Sequence, residues 1–269
     1  MDIWRLLALA ITFASSEVIL ARHHFVRPLS RIRNVGITNG HEAAEGQFPY
    51  QVGLAFSNSN LGWWCGGSLI GNAWILTAAH CTSGAFSGTA FLGSTKRINP
   101  KIVRTFSNSS IYQHPSYDSV YLQNDISLIK IPAVAFNTRI EKIKLPANSY
   151  STYAGQRAFA SGWGFTRDSD TFPSSKLLYA CLDVIENSKC AKTYDKFNIT
   201  KKILCTATGN GTSICNRDGG GPLVLVNRKI LIGVASFIHT SGCQSGTSAG
   251  FMRVTEYLDW IKNISRISY

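Results

Sequence analysis

The stretch Cys215-Asn216-Arg217-Asp218-Gly219-Gly220-Gly221-Pro222-Leu223 decides how the rest of the chain is read. Three consecutive glycines followed by proline ask for unusual backbone geometry, or for a close approach that side chains would block. By itself the segment reads as a tight turn between strands. Working outward, β-prone runs at 50–56, 74–76, 126–131, 158–161, 223–226 and 230–237 alternate with Gly, Ser, Asn and Pro clusters. Short strands divided in this way predict an all-β sandwich or barrel. One stretch differs. Behind Thr255, the residues Tyr257, Leu258 and Ile261 recur at helical spacing, which predicts a C-terminal amphipathic helix over 255–264.

Two further pieces stand upstream. Leu76-Thr77-Ala78-Ala79-His80-Cys81 follows a strand-like run, and Asn124-Asp125-Ile126-Ser127-Leu128 opens another. Taken singly, the first holds a structural histidine and the second a turn or cap aspartate. In this order, together with Ile37-Thr38-Asn39-Gly40 and Ala160-Ser161-Gly162-Trp163-Gly164, the chain resembles the chymotrypsin/trypsin (S1) family of serine proteases over about residues 37–266. The runs Trp63-Trp64-Cys65-Gly66-Gly67-Ser68 and Gly242-Cys243-Gln244-Ser245-Gly246, and the ending Ile267-Ser268-Tyr269, look most like the insect digestive branch called Jonah proteases.

The resemblance implies an all-β fold of two antiparallel, six-stranded Greek-key β-barrels. The N-terminal barrel would span about 37–148 and the C-terminal barrel about 149–254, with the last helix packed outside and the active site between them. His80 would be the general base, taking a proton from the nucleophile and returning it to the leaving amine. Asp125 would orient the histidine tautomer. The family motif at the nucleophile is Gly-Asp-Ser-Gly-Gly-Pro, and this chain places Gly219 where the serine is expected. Glycine has no side-chain oxygen, so no acyl-enzyme can form on it.

Three more positions depart from the family. Arg217 stands where a glycine donates one oxyanion-hole N–H, so the amide survives but a long side chain borders the cleft. Ile238, after Ser236-Phe237, replaces a glycine at the rim of the specificity pocket and narrows its entrance. Gly36 precedes Ile37 where tryptic activation needs a basic residue. After such a cut the new terminus at Ile37 would pair with Asp218. Ser213, six before Gly219, falls at the pocket floor and gives it a neutral, chymotrypsin-like character. The family disulfides would be Cys65–Cys81, Cys190–Cys205 and Cys215–Cys243. Cys181 is left over, as a half-buried free thiol or as one end of an intermolecular bridge.

The 269 residues carry 45% hydrophobic and 16% charged side chains, a globular balance rather than a disordered one. Residues 1–16 read as a signal peptide: one basic residue, an apolar run over 6–13, then small residues. Residues 17–36 carry Arg22, Arg27, Arg31 and Arg33 against one Glu17 and read as a propeptide. Seven cysteines and the N-x-S/T sequons at Asn108, Asn198, Asn210 and Asn263 fit a secreted, extracellular protein. No later apolar run is long enough to span a membrane.

The net charge is +12. Residues 1–36 hold five Lys/Arg and two Asp/Glu, so the remainder carries 22 basic and 13 acidic residues, net +9. The basic residues are scattered, and no nucleic-acid motif accompanies them. Six scattered histidines and no carboxylate-rich loop give no metal site, and no cofactor is expected.

The expected function is therefore that of a secreted serine protease homologue without proteolysis. As a monomer, it would act as a decoy, cofactor or regulator by holding a protein or peptide ligand in the former substrate cleft. Two alternatives remain open: a working chymotrypsin-like digestive endopeptidase in which Gly219 is an isolated change, and a basic protein on a protease scaffold that binds acidic glycans or matrix.

Overall fold

The computed structural model describes residues 37–147, 151–194 and 199–269; the segments expected to be signal peptide and propeptide, Gly36 and the sequon at Asn198 lie outside them. The N-terminal half supplies β1 (His41–Glu42), β2 (Gln51–Ser57), β3 (Gly62–Gly71), β4 (Trp74–Thr77), the single-turn helix α1 (Ala79–Thr82), β5 (Ser87–Leu92), β6 (Ile102–Ser107), β7 (Ile111–Gln113) and β8 (Ser127–Lys130). The C-terminal half supplies β9 (Arg157–Gly162), β10 (Leu178–Ile185), α2 (Asn187–Cys190), β11 (Ile203–Thr206), β12 (Pro222–Leu225), β13 (Leu231–Phe237), β14 (Ala249–Arg253) and α3 (Leu258–Ser265). Buried and less buried residues alternate along β5 and β10, the period-2 pattern of strands with one face on a core.

The strands form two antiparallel sheets, the chymotrypsin-type arrangement. One runs β6-β5-β2-β3-β4-β8-β7 and the other β1-β10-β11-β14-β13-β12-β9. In the second sheet β9 also pairs with β10, which closes six strands into a ring and leaves no open edge among them. The expected all-β, two-barrel fold stands, and the two sheets differ in how they close. In the first sheet the end strands β6 and β7 are joined through the 3-10 turn Asn108–Ser110, so chain continuity and not a hydrogen-bonded ladder links them. The segment after Ile37, expected in the N-terminal barrel, pairs as β1 with β10 of the other sheet. Burial explains that crossing. Ile37 is wholly inaccessible in a core with Ala158, Leu182, Leu223 and Phe251. Glu42 then meets Lys176, with Oε2 to Nζ at 2.7 Å.

The two halves are bolted together beside the cleft. β3 is buried at every position from Trp64 to Ile70. Trp64 meets Trp163 edge-on at 6.0 Å between centroids, and the hydroxyl of Ser161 donates to Gln51 Oε1 at 2.6 Å. Cys65–Cys81, Cys190–Cys205 and Cys215–Cys243 are bonded, and Cys181 is an unpaired, half-buried residue on β10. The C-terminal helix begins later than expected. Val254–Tyr257 is a 3-10 turn, and α3 starts at Leu258. Tyr257 sets the break, with φ −123° and ψ 7° and its ring buried edge-on to His114. Among the described residues, no helix is long and apolar enough to cross a membrane.

Candidate functional site

The turn after β4 places His80. Thr77 Oγ1 donates to the Gly66 carbonyl at 2.8 Å, and the indole N–H of Trp63 donates to the Cys81 carbonyl at 2.7 Å. The Cys65–Cys81 disulfide ties the same turn to β3. His80 therefore stands on α1 with its side chain 32% exposed at the cleft. Asp125 arrives on the approach to β8. Asn124, at φ 54°, anchors that approach by donating from Nδ2 to the Ser116 carbonyl at 2.8 Å.

Asp125 is wholly inaccessible and accepts three hydrogen bonds. The His80 backbone N–H reaches Oδ1 at 2.7 Å, His80 Nδ1 reaches Oδ2 at 2.7 Å, and the Ser236 hydroxyl reaches Oδ2 at 2.6 Å. A buried carboxylate held this way fixes the imidazole's orientation with Nδ1 as donor, leaving Nε2 toward the cleft. Facing Nε2 is Gly219. A Cβ built on Gly219 would overlap Nε2 and lie 2.8 Å from Cε1. Among the described residues, the only hydrogen-bond contact of Nε2 is a 3.5 Å approach to Cys81 Sγ, which is locked in a disulfide. Among the described residues, no hydroxyl or thiol reaches the ring there.

The 215–222 loop holds its place through its backbone. Gly66 N–H donates to the Gly219 carbonyl at 2.8 Å, Gly220 N–H to the Ala235 carbonyl at 2.8 Å, and Gly221 N–H to the Asp218 carbonyl at 2.9 Å. Gly220 sits at φ 79° with a missing Cβ that would strike Thr77 Oγ1 and the Gly66 carbonyl, so glycine is required there. The amides of Arg217 and Gly219 donate to no group among the described residues.

Arg217 occupies the left-handed region at φ 76°. For an L-residue with a Cβ this costs about 1 kcal/mol or more. Arg217→Gly is accordingly expected to stabilise the fold by about 1 kcal/mol, read as a higher urea midpoint. An unchanged or lower midpoint would show that the arginine side chain repays its backbone strain.

Asp218 is buried beneath the loop, where Gly164 N–H reaches Oδ1 at 2.7 Å and Cys215 N–H reaches Oδ2 at 3.0 Å. No cation accompanies it among the described residues, and desolvation pushes its carboxyl up to about 7.

Two cavities meet at Gly219. One, of about 300 Å³, is bounded by Trp63, Trp64, His80, Phe165, Arg217 and Gly219. The other, of about 100 Å³, is bounded in part by His80, Arg217, Gly219, Ser236, Phe237 and Ile238. The sequence placed the last three at the specificity pocket, and they line this small cavity. Ser213, expected at its floor, does not line it. Ser213 is buried and bridged to Thr38, while the Phe237 ring lies against Gly250 where any side chain would overlap it.

Asn108, Asn210 and Asn263 are exposed. Phe165 also borders the cleft, and as an isolated loop residue it carries no pattern in the sequence; Asn216, inside the deciding stretch, borders it as well. Trp63 and Trp64, part of a sequence motif, also line the cavity of about 300 Å³.

The trypsin family model matches residues 37–261. Serine protease 1 of Drosophila melanogaster is 46% identical over 235 residues, covering 87% of each chain. Collagenase of Hypoderma lineatum is 38% identical across 98% of this chain and 99% of its own. A solved structure of HL collagenase superposes with a TM-score of 0.81 at 39% identity, over 87% of this chain and all of the other.

Proposed function

The chain belongs to the trypsin family, and from that premise we propose that it is a secreted, non-proteolytic member that holds a protein or peptide ligand in its cleft. The observation that carries this reading is Gly219 facing His80 Nε2 with no hydroxyl in reach among the described residues. The general base has nothing to deprotonate but water. In subtilisin, loss of the nucleophilic serine lowers kcat by about 2 × 10⁶. At about 1.36 kcal/mol per decade that is roughly 8–9 kcal/mol of barrier reduction, and a typical turnover of about 10 per second becomes about one in two days. Three disulfides support an oxidising, extracellular location.

The retained His80–Asp125–Ser236 network favours a second reading, a working chymotrypsin-like endopeptidase in which Gly219 is an isolated change. Arg217, Ile238 and Gly36 weigh against it, because each departs independently from working machinery.

The test is hydrolysis of chymotryptic peptide substrates by the purified protein, with its terminus freed at Ile37. Turnover within about a hundredfold of 10 per second would overturn the non-proteolytic reading. Background-level hydrolysis together with saturable peptide binding is the expected result.

A further inference from the structure

We propose that the former catalytic centre is a receptor for the C-terminal carboxylate of a peptide chain, with Arg217 as the residue that selects it; this rests on the non-proteolytic reading above. Four groups at one place support it. The amides of Arg217 and Gly219 have no acceptor among the described residues. The Arg217 guanidinium is on an exposed residue, with no ion pair, hydrogen bond or ring contact among them. His80 Nε2 faces the same spot, with only a disulfide sulfur at 3.5 Å. All three residues border both cavities.

A lone arginine added to two free amides changes what the site prefers. A neutral peptide carbonyl presents one partly charged oxygen. A carboxylate presents two oxygens with a full charge, which suits a guanidinium fork and backbone donors together. Asp125 and Asp218 do not compete for Arg217. Asp125 is buried behind His80 and saturated by three hydrogen bonds, and Asp218 is buried against Gly164 and Cys215. Gly219 removes the side chain that would otherwise stand between the ligand and His80. A chain ending here sets its last side chain at the cavity of about 100 Å³ that Ile238 helps to close, so small terminal residues fit best.

The experiment measures fluorescence anisotropy of N-terminally labelled tetrapeptides ending in alanine, as free acid and as amide, against the mature protein. The acid is expected to bind about tenfold to a hundredfold more tightly than the amide, the range for adding a charge-assisted hydrogen bond. Arg217→Gly is expected to remove most of that preference without lowering the urea midpoint, so the loss is not unfolding. Arg217→Lys should keep part of it.

Equal binding of acid and amide overturns the carboxylate assignment and leaves the non-proteolytic, peptide-holding reading standing. No binding of either overturns the carboxylate assignment and counts against peptide holding, while leaving the lack of proteolysis untouched. Equally tight binding of an amidated peptide whose last residue is aspartate overturns the choice of chain terminus. Cleavage of the peptides, followed by mass spectrometry, would instead overturn the non-proteolytic reading itself.

Discussion

Replacing Gly219 by serine is expected to lower stability by about 1–3 kcal/mol and to recover little turnover. The destabilisation follows from space. The new Cβ would overlap the His80 ring, and forcing a held side chain out of its place typically costs that much. His80 cannot swing away freely, because its Nδ1 and its backbone N–H are both held by the buried carboxylate of Asp125 at 2.7 Å. Its side chain is about one-third exposed, so the accessible movement is outward, lengthening the Nδ1–Asp125 bond. A catalytic pair displaced by about 1 Å can lose about a hundredfold in rate. Arg217 and Ile238 still line the cavity of about 100 Å³ beside Gly219.

The single variant should therefore turn over a chymotryptic substrate at least about a hundredfold more slowly than a typical 10 per second. Its melting temperature should fall by about 2–4 °C for each kcal/mol lost. Adding Arg217→Gly and Ile238→Gly should raise kcat/KM further. Full activity from Gly219→Ser alone, at unchanged melting temperature, would show that the His80 ring yields at no cost and that the other departures are innocuous.

The legibility of this molecule in its sequence varied with the kind of interaction. Several strands were visible as short aromatic or aliphatic runs near Gly or Asn, as at 74–76, which extends to Trp74–Thr77 in the fold. The family resemblance located His80, Asp125 and Gly219, and the structure brings these three together. The pairing of β1 with β10 was not legible. A two-residue strand has no periodicity, and its partner lies more than a hundred positions away. The break at Tyr257 was hidden too, because 3-10 and α turns share the same short spacing of apolar residues. Ser213 is buried and does not line the small cavity beside Gly219, a detail that depends on ring placement. Phe237 lies over Gly250, and no spacing in the sequence encodes that.

Asp218 is expected to make the chain with residues upstream of Ile37 lose stability as pH rises from about 4 to about 7. An unfolded aspartate titrates near 3.9, whereas burial raises the folded group to about 7. Between those values the folded state keeps a proton that the unfolded state has released, so raising the pH favours unfolding. The group adds no penalty below the unfolded value. Above pH 7 the full cost of an ionised, unpaired carboxylate is present, on the order of 4 kcal/mol. The amides of Gly164 and Cys215 reduce that cost without cancelling it.

Asp218→Asn cannot ionise, but its amide nitrogen cannot accept from the Cys215 N–H. Losing that acceptor costs about 1–3 kcal/mol at every pH. Urea midpoints should therefore cross: wild type above the variant at pH 4.5, and the variant level with or above wild type at pH 8. A difference that does not change with pH would sink the idea that Asp218 is a desolvated, unpaired acid.

The same measurement on a chain beginning at Ile37 tests the pairing that the family resemblance implies. An α-ammonium carried by Ile37, itself wholly buried, would supply the missing cation. That would bring the folded pKa of Asp218 back down and flatten or reverse the slope between pH 4 and 7. Equal slopes in the two chains would mean that the carboxylate stays unpaired after cleavage. The loop carrying Arg217 and Gly219 would then be held by its backbone bonds alone.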